Sequence, residues 1–573
     1  MSGASTQEEI DVRTSRGGAR GWLRVAVEFV AAVLLQIAVM DFHAWTFDES
    51  LLQYGALRVM HGMVPYRDFW TLYPPGGYYT LAAAFRLFGV NALSGRIMFV
   101  VSNAISAIAI IYIVDRLTER WWLSRVAAAV TLLWLCAWAA YAFPVYPSMA
   151  LILVATACMV KRWESGRARW ALWAGVALGV SALFRHDLAV YALVALGAAS
   201  VMDQLRRAKA ERSGFVGADV VRLCWTMCVV VLPVAVWLMV TVPAHDLYFD
   251  MIYFPGAVYA KVRSLPFPTF AQTLRGFLHP RTPDVPGLGN IEYNVVWLPV
   301  LAALAAVPVV VSEFHKRSGE LWRSTAVVAL AGMTALLFLK GWVRVSPVHM
   351  VPGVVAAFVL LACLWVRVPR AGVATRICVL FVVAWAALCA LASVHTDYLE
   401  FRHNIRMARG TARDGLSLAA ACHPQAGLER ARCVFLPKDA TQAILFLESE
   451  SAPGETIFVG QPRYDVMRAG AVQFYFYSGR EATTRWYDLE PGVETTAPIQ
   501  NEMVCDIERH RTRYVLRDNT PLELEPNASR VSSRVNVLGQ FIERNYVLQQ
   551  RFGEFDVLVR STPFAAPGVY CNG

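Results

Sequence analysis

Charged residues are scarce in this chain, and their scarcity is the first guide to its class. Asp, Glu, Lys and Arg make up 17% of the 573 residues, whereas hydrophobic residues make up 56%. Soluble globular proteins usually carry about 25% charged residues. The composition therefore excludes an ordinary soluble protein and favours a chain that lies largely in lipid.

Several common signatures are also missing. The sequence has no low-complexity segment and no obvious internal repeat, and no pair of its cysteines has zinc-type spacing. The final third contains no glycine-rich phosphate loop, so it is not predicted to bind a nucleotide.

Long apolar runs recur along the first two-thirds of the chain. Crossing about 30 Å of hydrocarbon requires a helix, because every backbone polar group in lipid must be satisfied within the segment. About eleven such runs are predicted to be transmembrane helices: 22–42, 92–115, 121–142, 148–162, 170–185, 188–202, 221–243, 295–312, 324–341, 350–366 and 373–394.

The distribution of basic residues predicts the orientation. Cytoplasmic loops are enriched in Lys and Arg, and the basic segments here are the N-terminal arm, 161–169, 203–212, 316–323 and 367–376. With eleven spans and a cytoplasmic N-terminus, all five lie inside, in contact with membrane lipids, and no cleavable signal peptide is apparent. The net charge of +10 thus reflects topology, and no nucleic acid partner is predicted.

The sequence predicts three regions. They are a cytoplasmic arm (1–21), a transmembrane domain (22–394) with external loops 43–91 and 244–294, and an external α/β domain (395–573). In the last region, 433–437, 455–460, 513–518 and 555–561 are predicted strands, and 439–449, 499–510 and 535–545 are predicted helices with Asp439 as an N-cap. Acceptor recognition or stability is its expected role.

Four cysteines fall in the external region: Cys422, Cys433, Cys505 and Cys571. An even number in an oxidising compartment favours disulfides over free thiols. The short intervening loop favours Cys422–Cys433, which leaves Cys505–Cys571, although three connectivities are open.

An acidic pair, Asp48-Glu49, follows the first apolar run and opens the first external loop. Carboxylates are costly near hydrocarbon, which favours chemistry or ion handling. The alternative is that the pair caps a helix beginning near Ser50. GALRVMHG, with Arg58 and His61, is then predicted to be an interfacial helix, and Pro74-Pro75-Gly76-Gly77 to turn the chain back toward the membrane.

The acidic pair, the following PYRDF and the YPPGGYY element resemble the GT-C superfamily of membrane glycosyltransferases, in the protein O-mannosyltransferase and aminoarabinose-transferase branch. The resemblance covers 25–395 in architecture and about 45–85 in motif. It implies sugar transfer from a polyprenyl-phosphate donor, usually with inversion. By this resemblance Asp48 is the catalytic base, and Glu49 orients it or binds sugar hydroxyls.

A lipid-phosphate leaving group needs positive charge or hydrogen-bond donors. In GWVRVSPVHMVP, Arg344 and His349 are predicted to bind this phosphate, and a similar arginine-to-histidine element occurs in related transferases. Snorkelling of Arg344 to the interface and a hydrogen-bonded helix-start role for His349 are the alternatives.

Two further clusters are candidates for substrate binding. Arg185, His186 and Asp187 form the first, although an Arg185–Asp187 pair would also simply let two helices leave the membrane. Lys261 and Arg263, on the large external loop, form the second, although charge on a loop is usually solvated. Asp68 is expected to pair with Arg67 or to cap a turn.

No cofactor is predicted. Asp48, Glu49 and His43 offer oxygen and nitrogen ligands, but their spacing is not that of a metal site, so a divalent metal stays an unsupported alternative.

The sequence thus predicts a glycosyltransferase that moves a sugar from a polyprenyl phosphate to a glycan, lipid or protein of the cell envelope, at the outer face of the cytoplasmic membrane. A secondary transporter or lipid-linked-sugar flippase is the rival from another class. It would place ionisable residues near the bilayer midplane in two related halves. A silent scaffold of the same fold is the third alternative.

Overall fold

The structure is a computed structural model, and it describes residues 4–44, 47–137, 141–211, 216–278, 295–315, 321–522 and 524–565. Helices dominate the first 408 residues. In chain order they are α1 Ala4–Ala38, α2 Phe47–Met60, α3 Gly76–Phe88, α4 Ala92–Thr118, α5 Trp121–Cys136, α6 Val145–Ser165, α7 Arg169–Phe184, α8 His186–Glu211, α9 Ala218–Thr241, α10 Ala244–Tyr248, a π-helix Phe249–Val258, α11 Tyr259–Val262, α12 Phe270–Leu278, α13 Leu298–His315, α14 Leu321–Val343, α15 Pro347–Trp365 and α16 Val373–Ala408.

Each of the eleven predicted apolar runs overlaps one of these helices. Within the described residues, eight helices are long and apolar enough to cross a membrane, and α5, α7 and α13 are shorter apolar helices. The predicted class of a helical, multi-pass membrane protein is therefore confirmed.

The C-terminal region forms a small mixed sheet with helices around it. Its strands are β1 Thr456–Gly460, β2 Glu481–Ala482, β3 Tyr514–Asp518, β4 Tyr546–Phe552 and β5 Phe555–Arg560, in the order β2-β1-β3-β5-β4. Strand β1 is parallel to β2 and β3, whereas β5 is antiparallel to β3 and β4. The helices are α17 Leu418–Ala421, α18 Lys438–Glu450, α19 Gln473–Ser478, α20 Ala497–Arg509 and α21 Val537–Asn545.

Three of the four predicted strands and all three predicted helices of this region are present. The predicted strand 433–437 is wrong, because only Phe435 makes an isolated bridge, to His43 of the first loop. Strands β2 and β4 were not predicted. Strand β4 is exposed along most of its length, so it lacks the apolar run that marks a buried strand. Asp439 lies in the first turn of α18 instead of at its N-cap, which is Pro437.

Helix α2 differs from the predicted interfacial helix. All its residues from Glu49 to Val59 are buried, since the C-terminal domain covers the face that would otherwise meet headgroups. The Tyr54 ring stacks on Tyr475, its hydroxyl accepts a hydrogen bond of 2.6 Å from the Ala482 backbone N–H, and the Arg58 guanidinium lies 5.2 Å from the Tyr487 ring centroid. The first loop and the C-terminal domain thus share one core.

The Pro-Pro-Gly-Gly element starts a helix where the sequence predicted a turn. Pro75 is the N-cap of α3, and Gly76 is its first residue. A Cβ on Gly76 would lie 2.5 Å from the Leu183 carbonyl oxygen, so only glycine lets α3 begin this close to the end of α7. The start of α3 is therefore fixed beside the C-terminal end of α7.

Candidate active site

The acidic pair lies in the first turn of α2, which begins at Phe47 and not near Ser50. Successive helix residues point about 100° apart, so the two carboxylates leave the helix in different directions. Asp48 lines a cavity, and Glu49 reaches Arg96 of α4. Both positions suit acidic groups, because a helix N-terminus favours negative charge.

A cavity of about 420 Å³ lies between the first loop, the α14–α15 junction and the C-terminal domain. Its lining combines carboxylates, guanidinium groups and three tyrosines. The lining residues are Phe47, Asp48, Leu51, Thr71, Leu72, Tyr73, Tyr141, Tyr259, Arg263, Arg344, Ser346, Val348, His349, Arg468, Ala469, Asp488, Glu490 and Glu525. The structure therefore brings together four predicted site residues from three distant parts of the sequence: Asp48, Arg263, Arg344 and His349.

Asp48 has one neutral hydrogen-bond donor beside it. The Tyr141 hydroxyl donates to Asp48 Oδ2 over 3.4 Å. Burial raises the pKa of the Asp48 carboxyl above its ordinary value, and this rise persists although the positive charges of Arg263 and Arg344 and the Tyr141 bond oppose it. A carboxylate with a raised pKa is a stronger base, which suits it to proton abstraction.

Arg344 and Arg263 are bound by carboxylates of the C-terminal domain. Arg344 donates to both Glu525 oxygens over 2.6 and 2.8 Å, and also to the Arg263 carbonyl oxygen over 2.7 Å. Arg263 lies 2.9 Å from Glu490 and 3.4 Å from Glu525. The two guanidinium groups lower the pKa of Glu525 despite its burial, so it is held as a carboxylate. This fork geometry is the one by which arginine also binds phosphate.

His349 lies at the start of α15 and lines the same cavity. Its Nδ1 is 2.7 Å from Ser346 Oγ, and its Nε2 is 3.5 Å from the Tyr259 hydroxyl. Both alternatives given for His349 by the sequence are compatible with this position, since the ring is hydrogen-bonded at a helix start and also faces the cavity.

Arg185 and Asp187, from the first of the two predicted clusters, lie behind the cavity wall together with Lys340. Arg185 donates to Asp187 over 2.6 and 3.0 Å, and Lys340 Nζ lies 3.7 Å from Asp187. The Arg185 guanidinium is 6.0 Å from the ring centroid of Tyr73, a lining residue. None of these three charged groups lines the cavity itself, and Arg185 approaches its lining through Tyr73.

Two further predicted site residues, His186 and Lys261, lie apart from the cavity lining, as does Asp68. His186 and Lys261 are exposed, and neither lines the cavity. Asp68 pairs with Arg67 over 2.8 Å and accepts the Val64 backbone N–H over 2.6 Å. Asp68 is therefore a loop-ordering residue, as the sequence suggested.

Glu49 forms a buried ion pair. Arg96 donates to its two oxygens over 2.9 and 3.0 Å, and their side chains are 3% and 1% exposed. Arg96 also donates to the His43 carbonyl oxygen over 2.6 Å and to that of Asp41. Glu49 thus holds the first loop to α4 and does not line the cavity.

Sequence reasoning missed the contribution of the C-terminal domain. Arg468, Asp488, Glu490 and Glu525 all line the cavity, and burial raises the pKa of Asp488 and Glu490. Two of these residues, Asp488 and Glu490, could have been identified from the sequence. They lie in WYDLEPGVE (486–494), where three acidic residues interrupt an otherwise apolar and aromatic stretch.

Within the described residues, no group of three or more His, Cys, Asp or Glu side chains is arranged to hold a metal ion. His43 instead contacts Asp41 over 2.8 Å.

Cys422 and Cys433 are joined in a disulfide, as the short intervening loop favoured. Cys571, the predicted partner of Cys505, lies outside the described residues.

Fold and site together define a multi-pass membrane protein with a carboxylate–arginine cavity between its helical bundle and a C-terminal α/β domain. A family model described as dolichyl-phosphate-mannose-protein mannosyltransferase matches residues 73–237. No curated protein matches the chain.

Two solved structures are similar. ArnT from Cupriavidus metallidurans bound to undecaprenyl phosphate is 14% identical, with 96% of this chain and 100% of that chain covered and a TM-score of 0.53. Arabinosyltransferase EmbB from Mycobacterium smegmatis is 13% identical over 68% of this chain and 42% of that chain, with a TM-score of 0.34. The predicted resemblance to the aminoarabinose-transferase and protein O-mannosyltransferase branch of the GT-C superfamily is confirmed as a likeness: the family model matches residues 73–237, and the chain shares the overall fold of ArnT.

Proposed function

We propose that the chain is a glycosyltransferase that moves a sugar from a polyprenyl-phosphate donor to a glycan, lipid or protein of the cell envelope. The observation that carries this proposal is the single cavity that Asp48 shares with Arg263 and Arg344. A base and a phosphate-binding fork are the two groups that such a transfer requires. The undecaprenyl phosphate bound to the structurally similar ArnT supports the donor class.

The proposed reaction is a single displacement. Asp48 removes the proton of an acceptor hydroxyl while that oxygen bonds to the anomeric carbon of the donor sugar. The bond between this carbon and the phosphate oxygen breaks, and the polyprenyl phosphate leaves with the electron pair. Attack opposite the leaving group inverts the anomeric centre, and Arg344 with Arg263 stabilises the charge that develops on the phosphate.

Donor binding requires a rearrangement of the arginine fork, because Glu525 occupies it in the structure. A donor phosphate takes the place of the Glu525 carboxylate on Arg344, with the same two-oxygen geometry. Glu525 therefore neutralises Arg344 in the empty site and competes with the donor in the occupied one. The C-terminal domain is thereby part of the site and not only a source of stability.

We also propose that the cavity faces the outside of the cytoplasmic membrane. The start of α4, with Arg96, lies beside Glu49, and the end of α14 lies beside Arg344. The opposite ends of these helices carry Arg116 and Arg323. Arg116 pairs with Glu164, so the basic segment 161–169 lies at that end as well. This excess of basic residues favours the cytoplasmic side for that end.

The decisive experiment offers purified protein a panel of radiolabelled polyprenyl-phosphate sugars together with a membrane acceptor fraction. Wild type is compared with Asp48→Asn and with Asp68→Asn, an acidic residue of the same loop outside the cavity. We expect transfer from one donor by wild type and Asp68→Asn, and a loss of about 10²–10⁴-fold in Asp48→Asn. Equal transfer by all three contradicts the base assignment, and no transfer from any donor contradicts the enzyme.

A further inference from the structure

A second cavity lies at the other end of the helical bundle. It is a groove of about 890 Å³ between α1, α4, α6 and α7. Its walls are almost entirely apolar. The lining residues are Trp22, Val25, Ala26, Phe29, Val30, Ile105, Ile108, Ala109, Tyr112, Arg116, Val154, Ala157, Cys158, Lys161 and Trp170.

The depth of the groove matches one leaflet of a bilayer. Along α4 it extends from Ile105 to Arg116, which is roughly 16 Å at 1.5 Å per residue. Half of a hydrocarbon core is about 15 Å. A spanning helix of a partner protein needs twice that length, whereas a lipid acyl chain needs only one leaflet.

The end of the groove nearest the membrane surface is polar and carries more positive than negative charge. Arg116 and Lys161 both lie there, and both pair with the single carboxylate of Glu164, over 2.6 and 2.9 Å. Trp22 and Trp170 flank them, as aromatic residues do at the level of lipid headgroups. Two cations that share one carboxylate leave a net attraction for an anion.

Two hydrogen-bond donors at this end lack a partner. Arg116 Nε and Trp170 Nε1 are both shielded from solvent, and neither has an acceptor within the part of the chain that the structure describes. Shielded N–H groups without a partner are costly, so an acceptor at this position would relieve both. A phosphate oxygen is such an acceptor.

We propose that this groove is a binding site for an anionic phospholipid of the leaflet opposite the Asp48 cavity. One acyl chain fills the apolar groove, and the phosphate accepts hydrogen bonds from Arg116, Lys161 and Trp170. Basic pockets between transmembrane helices on the cytoplasmic side suit such headgroups. The site is separate from the proposed transfer reaction, since it lies at the opposite ends of α4 and α6.

The test is native mass spectrometry of the full chain, released from membranes with equal amounts of phosphatidylglycerol and phosphatidylethanolamine. Wild type is compared with Arg116→Gln/Lys161→Gln and with the control Arg120→Gln/Arg167→Gln, which removes two exposed cations of the same end. We expect wild type and control to retain phosphatidylglycerol preferentially. The Arg116/Lys161 variant should lose about fivefold in affinity for each cation removed.

A third variant, Ala157→Trp, fills the groove and leaves both cations in place. It should also lose the bound lipid, because the acyl chain no longer fits. If Arg116 and Lys161 alone held the lipid, Ala157→Trp would still bind it. The proposal is overturned if wild type shows no preference, if the control loses as much as the Arg116/Lys161 variant, if Ala157→Trp binds normally, or if a co-purifying polypeptide occupies the groove. Thermal melting of each variant confirms that the fold is intact before lipids are compared.

Discussion

Two neighbouring carboxylates of α2 stand in contrasting surroundings. Asp48 faces a cavity and accepts a long hydrogen bond from Tyr141, whereas Glu49 is enclosed in an ion pair with Arg96. Burial raises the pKa of the Asp48 carboxyl, which makes its ionised form a stronger base. The Glu49 carboxylate already accepts two hydrogen bonds from Arg96, over 2.9 and 3.0 Å. In the acidic pair, we therefore propose that Asp48 takes part in the reaction, whereas Glu49 holds the first loop to α4.

The largest expected effect is on the transfer rate, which should depend on Asp48 far more than on Glu49. Asp48→Asn should lower the transfer rate by about 10²–10⁴-fold, because the base is lost. Wild-type activity should also fall as pH drops through the raised pKa of Asp48, since only the ionised form accepts a proton. Initial rates against pH, measured for both proteins, check this, and an acid limb that persists in the residual activity of Asp48→Asn would assign the titration to another group.

The second prediction concerns the free energy of unfolding, which should depend on Glu49 more than on Asp48. Glu49→Ala leaves Arg96 buried without its carboxylate, and breaking a buried pair in this way costs about 3–5 kcal/mol. Thermal unfolding in detergent, followed by tryptophan fluorescence, measures the loss. The matched control is Glu119→Ala, which removes the 70% exposed partner of Arg323 and should cost at most about 1 kcal/mol.

A double variant tests the structural role of Glu49 further. Glu49→Leu/Arg96→Met replaces the pair by apolar side chains of similar size, and we expect it to recover most of the stability that Glu49→Ala loses. It should also recover transfer activity in proportion to the folded protein. If folded Glu49→Leu/Arg96→Met stays inactive, Glu49 takes part in the reaction, and the contrast with Asp48 fails.

The third prediction concerns the carboxylate that occupies the arginine fork. Glu525→Gln should tighten binding of a polyprenyl phosphate about tenfold, because a neutral amide competes less well for Arg344 than a carboxylate does. Isothermal titration with a short-chain polyprenyl phosphate measures the change. The control is Glu508→Gln, which alters an equally short 2.6 Å pair with Arg560 away from the cavity; equal tightening there would make the effect non-specific.

Most of the membrane-spanning architecture could be predicted from the sequence. Apolar length and backbone satisfaction in lipid are local requirements, so the positions of the long helices could be predicted from single segments. Asp48, Arg344 and His349 were found in the same way, because charge beside an apolar run is conspicuous. The sheet was harder, since β4 carries no apolar pattern.

The assembly of the cavity could not be predicted. Glu490 and Glu525 lie in a domain whose packing on the first loop depends on contacts such as Tyr54 with Tyr475, and no single segment encodes them. The partner of Glu49 was missed for the same reason, because Arg96 lies within an apolar span and is identified only when α2 and α4 are packed together. The surroundings of Asp48 and Glu49 therefore differ because of contacts with residues that are distant in the sequence.

The smallest effect concerns the stability of Asp48 itself. A carboxyl whose pKa is raised by folding binds its proton more tightly in the folded state, so its favourable contribution is present at low pH and is lost as pH rises from the unfolded value of about 3.9 through the folded value. Above the folded value the ionised Asp48 therefore destabilises the fold, although Arg263 and Arg344 offset part of this cost. Asp48→Asn should melt slightly above wild type at pH 7, and the difference should shrink as pH falls below about 4. Melting curves across this range measure it. A variant that melts below wild type at pH 7 would mean that Asp48 is held by its arginines as Glu49 is held by Arg96, and the contrast between the two carboxylates would disappear.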